Sequence, residues 1–252
     1  MKKPFALCLV LCAFLAGSLR AQNVSYPDVF GQTNSRKFPY SMIGQLEFDS
    51  GPDSYVGSGT VIRANSVLTA AHNLWDPYSG WSVNILFTRS RYNDNGLSQQ
   101  YANRKFILAG YAANAHYYGP DDIRAFRNDM GGLRFATPVA DGAYAGWWPN
   151  PNTLLDGTYT IAFGYGAENH SGDVLLYVVP NAPFYQTLGG FYENESFAVE
   201  GGMSGGPVFA RYSGNGQLYV VAVIVAGSDN PISSGVRVID NKAANFIRAY
   251  LR

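Results

Sequence analysis

Glycine and proline divide this chain into many short segments. The 252 residues include 28 glycines and 13 prolines, and these residues separate short runs that are apolar or alternate between apolar and polar. Such runs between turn residues are typical of an all-β protein. The first set of predicted strands comprises residues 42–48, 57–63, 66–70, 83–87, 105–109 and 130–135. The second set comprises residues 159–164, 174–179, 197–199, 208–211, 218–226 and 236–239. Two sets of six strands predict two β-barrels.

The first 21 residues have the pattern of an export signal. Lys2 and Lys3 precede an almost wholly apolar stretch, residues 5–16, and small residues lead to a candidate cleavage site after Ala21. This apolar stretch is too short to cross a bilayer as a helix, which needs about 20 residues. A buried first strand or helix is the alternative interpretation.

The cysteines and the charge balance restrict the chemistry of the exported chain. Both cysteines, Cys8 and Cys12, lie inside the predicted signal, so the mature chain is expected to contain no disulfide and no thiolate metal site. Loss of Lys2, Lys3 and Arg20 changes a balance of 18 basic and 18 acidic residues to a net charge near −3. That charge gives no reason to expect binding to nucleic acid or to an anionic membrane. We expect a secreted or periplasmic monomer that does not contact the membrane after signal removal.

Four further regions follow the signal. Residues 22–39 are polar and are predicted to form an N-terminal arm or a short pro-segment. Residues 40–137 are predicted to form the N-terminal barrel, and residues 157–252 the C-terminal barrel with a C-terminal helix. Residues 138–156 contain the run Pro-Asn-Pro-Asn and are the predicted linker.

The only predicted helix lies at the C-terminus. Apolar residues recur there at helical spacing, and Asp240 or Asn241 is available as the N-cap. These apolar residues are Ala243, Ala244, Phe246, Ile247, Tyr250 and Leu251. We expect the helix to pack on the second barrel.

A glycine-rich loop contains a single serine, Ser204. Residues 202–207 are Gly-Met-Ser-Gly-Gly-Pro. Glycines permit positive φ and allow backbone N–H groups to approach a reacting carbonyl. A serine hydroxyl is a weak nucleophile unless a base takes its proton and a third group orients that base. Ser204 is therefore a candidate nucleophile, and a structural Gly-Ser-Gly turn is the alternative.

Two other motifs supply candidates for the remaining roles. His72 ends the run Val-Leu-Thr-Ala-Ala-His, which predicts a general base at the end of a strand. Asp129 precedes the apolar run 130–135, where a carboxylate needs a partner, and it is the candidate that orients the histidine. Asp121 and Asp122 are rival acids, but they follow a Gly-Pro turn and are expected to face water.

The serine loop also fits the Gly-x-Ser-x-Gly turn of α/β-hydrolases. In those enzymes a helix follows the serine, and the chain order is serine, acid, histidine. Here the serine comes last, and the predicted strand 208–211 follows it. This alternative is therefore disfavoured.

The three motifs together resemble those of the chymotrypsin-like serine peptidases. The resemblance rests on the order His72, Asp129, Ser204, with Leu-Thr-Ala-Ala-His around the first residue and Gly-x-Ser-Gly-Gly-Pro around the last. Residues 40–48 and 57–71, without a cysteine beside the histidine, are most similar to the bacterial glutamyl-endopeptidase-like branch. The resemblance extends from residue 35 to the C-terminus. It implies two six-stranded antiparallel β-barrels with the active site between them, and hydrolysis of polypeptide substrates through an acyl-enzyme intermediate.

The resemblance also implies roles for other residues by motif position. The backbone N–H groups of Gly202 and Ser204 are expected to form the oxyanion hole. The residues expected around the substrate pocket are Ala198, Val199, Val225, Gly227 and Gly235. Ala198 stands where a trypsin-like enzyme carries an aspartate, and Val199 stands where glutamyl-specific enzymes carry a threonine. The expected preference is a neutral, small or medium apolar side chain.

One departure from the family lies directly after the candidate aspartate. Gly131 and Gly132 stand where members of the family usually show bulkier residues. Such a pair is expected where two segments of backbone pack closely.

No metal site and no cofactor are predicted. The three histidines, His72, His116 and His170, are at least 44 residues apart, so zinc-site spacing is absent, and no phosphate-binding glycine loop occurs. The predicted function is that of an exported serine endopeptidase. A catalytically silent relative that binds peptides or partner proteins in the same cleft is the alternative. A β-sandwich that binds carbohydrates or surfaces, favoured only by the tyrosine and glycine content, is a third hypothesis.

Overall fold

The computed structural model describes residues 36–168, 170–229 and 232–252. These residues form mainly β-strands, which build two curled antiparallel sheets, and the chain ends in a helix. The predicted signal 1–21, with Cys8 and Cys12, and most of the predicted arm 22–39 lie outside the described residues.

The first sheet has seven strands. They are β1 (Ile43–Ser50), β2 (Asp53–Arg63), β3 (Ser66–Thr69), β6 (Val83–Arg89), β7 (Ser98–Tyr101), β8 (Arg104–Ile107) and β9 (Gly131–Arg134). Their spatial order is β7-β6-β1-β2-β3-β9-β8, and each neighbouring pair is antiparallel. Two short strands, β4 (Trp75–Asp76) and β5 (Gly80–Trp81), form a separate hairpin after β3.

The second sheet also has seven strands. They are β10 (Thr160–Gly164), β11 (Leu176–Val178), β12 (Tyr185–Leu188), β13 (Phe191–Asn194), β14 (Pro207–Arg211), β15 (Leu218–Asp229) and β16 (Ile232–Val238). Their spatial order is β11-β10-β14-β15-β16-β13-β12, again with antiparallel neighbours throughout.

Helices occupy little of the described chain. A 3₁₀ turn, Tyr40–Met42, precedes β1, and α1 (Tyr111–Tyr118) and α2 (Ile123–Phe126) lie between β8 and β9. Within the predicted linker lies α3 (Asn152–Leu155), and α4 (Asn241–Tyr250) is the C-terminal helix. The predicted C-terminal helix is confirmed. The side chain of Asp240 caps this helix by accepting the N–H of Ala243 at 2.9 Å.

The predicted all-β architecture with two antiparallel barrel-like sheets is confirmed, but each sheet has seven strands instead of six. Strand β7 in the first sheet, and β12 and β13 in the second, were not predicted. Strands β7 and β12 are polar and largely exposed, so they lack the apolar alternation that identifies a strand.

One predicted strand, residues 197–199, is wrong. These residues pair with no strand, although Phe197 and Val199 are buried in an apolar cluster of the second sheet. Their hydrophobicity reflects packing against that core, and a short apolar run does not distinguish a buried loop from a strand.

The C-terminal helix contacts the first sheet as well as the second. The ring of Tyr250 stacks on Phe106 of β8 at 5.1 Å between centroids. A Cβ at Gly132 of β9 would lie only 2.5 Å from the methyl groups of Leu251. The expectation that α4 packs on the second barrel is therefore incomplete, because its far end packs against strands of the first. This close approach also accounts for a glycine at position 132.

Candidate active site

His72 and Asp129 are held together by two hydrogen bonds. The Nδ1 atom of His72 lies 2.6 Å from Asp129 Oδ2, and the backbone N–H of His72 donates to Asp129 Oδ1 at 3.0 Å. The pairing of β3 with β9, in which Thr69 lies opposite Gly131, brings both residues to the same end of the sheet. The Asp129 side chain is fully buried, whereas that of His72 is 28% exposed. The side chain of His72 is therefore partly accessible to solvent, while its Nδ1 atom is held by Asp129.

The environment of His72 shifts its proton affinity. Burial lowers the pKa of His72, but the charge of Asp129 and its hydrogen bond more than offset this effect, with a smaller contribution from Asp121. The net result is a pKa of His72 that is raised above the ordinary value of 6.5.

Burial and the charge of the same Asp129 carboxylate raise the pKa of Tyr111, which packs with Ala71 in an apolar cluster. The phenol therefore stays neutral.

The two rival acids have other positions. Asp122 caps α2 by accepting the N–H of Arg124 at 2.8 Å, and it also binds the Arg124 side chain through two hydrogen bonds of 2.7 and 2.6 Å. These bonds lower the pKa of Asp122 to about 2. Asp121 is exposed and lines the cleft described below. The expectation of a simple solvated turn therefore holds for Asp121, whereas Asp122 has a structural role.

The serine loop is anchored to the first sheet. The carbonyl oxygen of Ser204 accepts the N–H of Ser58 at 2.8 Å and the Nδ2–H of Asn73 at 2.9 Å. Gly205 has a φ of 84°, and a Cβ at this position would lie 2.1 Å from Thr69 Oγ1. Only glycine fits both requirements. The serine loop therefore packs closely against β3, the strand that leads to His72.

Two carbonyl groups fix the orientation of the peptide planes near the serine. The carbonyl of Gly201 accepts the N–H of Ala167 at 2.8 Å, and that of Met203 accepts the N–H of Gly206 at 2.9 Å. The C=O and N–H of a trans peptide point in opposite directions. The N–H groups of Gly202 and Ser204, the predicted oxyanion donors, are consequently directed away from those two partners.

A cleft of about 1210 Å³ is lined by residues from both sheets and includes His72 and Ser204. Four of the five predicted pocket residues line it, namely Val199, Val225, Gly227 and Gly235. The fifth, Ala198, packs instead against the apolar cluster of the second sheet.

Phe191 is a lining residue that sequence reasoning missed. A Cβ at Gly235 would lie 2.1 Å from the Phe191 ring, so the ring occupies the space that this glycine leaves open. Because β13 was not predicted, nothing in the sequence indicated that Phe191 faces the cleft.

The cleft is acidic. The carboxylates that line it are Asp53, Asp76, Asp121, Glu168, Glu193, Glu195 and Glu200. Among the described residues that line the cleft, none is lysine or arginine, and His72 has the only side chain that can carry a positive charge. Glu200 is in contact with His170, whose Nδ1 lies 3.0 Å from its Oε1.

A comparison of the sequence with known protein families identifies the kind of protein that contains this site. The sequence model described as Trypsin matches residues 29–247. The chain belongs to the trypsin family. This membership makes it a serine-type peptidase, and the predicted resemblance to the chymotrypsin-like peptidases is confirmed.

Solved structures share the fold of this trypsin-family chain. A Glu endopeptidase in complex with MPD is 18% identical with a TM-score of 0.68, covering 86% of this chain and 93% of its own. Protease Anisep from Arthrobacter nicotinovorans is 20% identical with a TM-score of 0.66, covering 82% and 94%. The thermostable serine protease AL20, from an extremophilic microorganism, is 18% identical with a TM-score of 0.64, covering 81% and 94%. A comparison with curated protein sequences gave no match.

The described part of this trypsin-family chain lacks two features. Within residues 36–168, 170–229 and 232–252, no three or more His, Cys, Asp or Glu side chains are grouped so as to hold a metal ion. In the same residues, no helix has the length and hydrophobicity that a membrane span requires.

Proposed function

We propose that this protein is an exported serine endopeptidase in which Ser204 is the nucleophile, His72 the general base and Asp129 the group that orients the base. The proposal is carried by the two hydrogen bonds that Asp129 accepts from His72, at the edge of a cleft that Ser204 also lines. Conversion of a weak hydroxyl nucleophile into a reactive one needs this pairing of a base with a buried orienting carboxylate.

The first half of the reaction forms an acyl-enzyme. With the Nδ1–H of His72 donated to Asp129, Nε2 carries the lone pair and takes the proton of Ser204 as Oγ attacks the peptide carbonyl. The Asp129 carboxylate stabilises the imidazolium that results. The N–H groups of Gly202 and Ser204 donate to the developing oxyanion. His72 then protonates the leaving amine, and the peptide C–N bond breaks.

The second half releases the product. Water replaces the amine, His72 takes its proton, and the hydroxide attacks the ester carbonyl between the substrate and Ser204 Oγ. The same two N–H groups stabilise the second oxyanion. Collapse of this intermediate returns the proton to Ser204 and releases the carboxylic acid.

Domain limits and substrate preference are parts of the same proposal. We assign residues 1–21 to a signal peptide, 22–39 to an arm or pro-segment, 40–137 and 157–252 to the two barrels, and 138–156 to the linker.

The substrates are polypeptides, and the enzyme acts as a secreted or periplasmic monomer. Apolar residues at the pocket, Val199, Val225 and Phe191, favour a neutral side chain at the cleaved bond.

A fluorophosphonate probe tests the proposal, because it labels only a serine that its neighbours activate. We expect stoichiometric labelling of the purified mature chain at Ser204 and cleavage of a casein-type polypeptide. Ser204→Ala should lose the label and reduce hydrolysis by several orders of magnitude with an unchanged melting temperature. A well-folded wild-type chain without labelling or hydrolysis would support the silent relative that only binds peptides. Persistent labelling of Ser204→Ala would overturn the assignment of the nucleophile.

A further inference from the structure

The hydroxyl group of Ser58 bridges the two sheets at the serine loop. Ser58 lies within β2 of the first sheet and is fully buried. Its Oγ donates to the carbonyl of Gly202 at 2.8 Å and accepts the N–H of Tyr165 at 2.8 Å. Tyr165 directly follows β10 of the second sheet. One hydroxyl group therefore connects a strand of the first sheet to two backbone segments of the second.

Both peptide planes beside Gly202 are held from outside the loop. The plane on its N-terminal side is held by the bond from Ala167 to the carbonyl of Gly201. The plane on its C-terminal side is held by Ser58 through the carbonyl of Gly202 at 2.8 Å, and by Glu200 through the N–H of Met203 at the longer distance of 3.1 Å. Gly202 itself has a φ of 93°, and glycine restricts its own φ and ψ less than any other residue. The bond from Ala167 therefore sets the direction of the Gly202 N–H, and the bond from Ser58 sets where Gly202 lies.

We propose that Ser58 is a positioning residue for the oxyanion hole. It is not among the residues that line the cleft, so it acts on the reaction through Gly202. Its hydroxyl fixes the place of the Gly202 carbonyl, so that Gly202 stays where its N–H, already oriented by the bond from Ala167 to the Gly201 carbonyl, meets the oxyanion. This inference rests on the proposed function, because it assigns a role within the same reaction.

Loss of the hydroxyl has a specific consequence. Without it, the carbonyl of Gly202 and the N–H of Tyr165 lose a buried hydrogen-bond partner. The plane after Gly202 then keeps only the 3.1 Å bond from the N–H of Met203 to the carbonyl of Glu200, and a shift of Gly202 moves its N–H away from the oxyanion. An oxyanion donor acts on the transition state more than on the bound substrate. The effect should therefore appear in kcat and leave KM largely unchanged.

The test uses the mature chain and a peptide substrate. We expect Ser58→Ala to lower kcat by about tenfold to a hundredfold, less than the loss of a donor itself, which costs about 10²–10³. KM should stay within about twofold. Affinity for a peptide boronate, which mimics the tetrahedral intermediate at the serine, should fall by the same factor as kcat/KM. Ser58→Thr, which keeps the hydroxyl, should recover most of the loss.

Thr60 offers a matched control on the same strand. It is also fully buried, and its Oγ1 has no hydrogen-bond partner. Thr60→Val removes a buried hydroxyl two residues from Ser58 without affecting the serine loop, so kcat should be unchanged. If Ser58→Ala does not fold, Ser58→Cys keeps nearly the same volume with a weak donor, and it should show the same loss of kcat.

The outcomes separate this inference from the proposed function. A wild-type chain that neither reacts with the probe nor cleaves peptides would refute the proposed function. An active wild type with unchanged kcat in Ser58→Ala and Ser58→Cys would refute only the positioning role. A rise in KM without a change in kcat, or an equal loss in Thr60→Val, would also refute it, because either result indicates general packing.

Discussion

At the scale of single residues, the candidate site depends on how each carboxylate is partnered. Asp129 is buried and directs both oxygens to His72, whereas Asp122 directs both of its oxygens to Arg124. The two acids lie seven residues apart in the sequence, yet of the two only Asp129 contacts the imidazole of His72. Their chemistry is therefore set by their partners, because the side chains themselves are identical.

The first prediction concerns pH dependence. His72 acts as a base only when neutral, and its pKa is raised above 6.5. We therefore expect kcat/KM to rise with pH through an apparent pKa above 6.5. Asp129→Asn removes the charge that raises this pKa and permits the wrong tautomer. It should move the midpoint of the profile downward and lower kcat by about 10⁴, as in other triads.

Asp122→Asn is the matched control for this prediction. It keeps a side chain that can cap α2 but loses the ion pair with Arg124, so the melting temperature should fall slightly while kcat and the pH midpoint stay unchanged. The measurements are pH–rate profiles of the three proteins and their thermal unfolding. Severe loss of kcat in Asp122→Asn, with mild loss in Asp129→Asn, would assign the orienting role to the upstream acid.

At the scale of elements, the pairing of β3 with β9 sets the geometry of the site. His72 follows β3 and Asp129 precedes β9, at adjacent ends of the two strands, and the close packing there requires a glycine at position 131. A Cβ at Gly131 would lie 2.8 Å from Leu74 and 2.9 Å from the carbonyl oxygen of Ala70. The glycine pair was predicted to mark close packing of backbone, and these distances give the reason.

The second prediction follows from this packing. Gly131→Ala should destabilise the protein by about 1–3 kcal/mol, because the new methyl group collides with backbone that cannot move aside easily. It should also lower kcat, since any shift of β9 displaces Asp129 from His72. Urea denaturation and steady-state kinetics measure the two effects. Gly189→Ala is the control, because a Cβ there meets nothing within 4 Å. Equal stability of the two variants would contradict the packing argument.

At the scale of the whole molecule, the charges are distributed unevenly. The full chain has equal numbers of acidic and basic residues, but the part of the chain that the structure describes lines the cleft with seven carboxylates and with no lysine or arginine. A cleft with low-dielectric walls concentrates the field of the charges that line it. The cleft should therefore attract cationic peptides and repel anionic ones.

The third prediction tests this electrostatic preference. Among peptides with the same residue at the cleaved bond, those with flanking lysine or arginine should have a higher kcat/KM than those with flanking glutamate. The ratio should fall as salt is raised, because salt screens exposed charges. Glu195→Gln should reduce the ratio, whereas Asp141→Asn, at an exposed site away from the cleft, should not. A ratio that is independent of salt would exclude electrostatic steering.

The sequence alone was sufficient for the class of fold, the family and the candidate triad. Turn residues between short apolar runs depend on local backbone preferences, so eleven of the twelve predicted strands lie where expected. The motifs around His72 and Ser204 are informative because their chemistry requires particular neighbours in the chain. Strands β7 and β12 were missed because they are polar and largely exposed, so they lack the apolar alternation that identifies a strand.

Only the tertiary structure determined which residues meet across the molecule. The bridge from Ser58 to Gly202 and Tyr165 spans 144 and 107 residues of sequence, and Phe191 reaches the cleft from a strand with no clear pattern. The seven carboxylates of the cleft are scattered from residue 53 to residue 200. Contacts of this kind depend on the registers of strands and the curvature of sheets. Local sequence determines where strands and turns form, but long-range packing decides which of their side chains share one site.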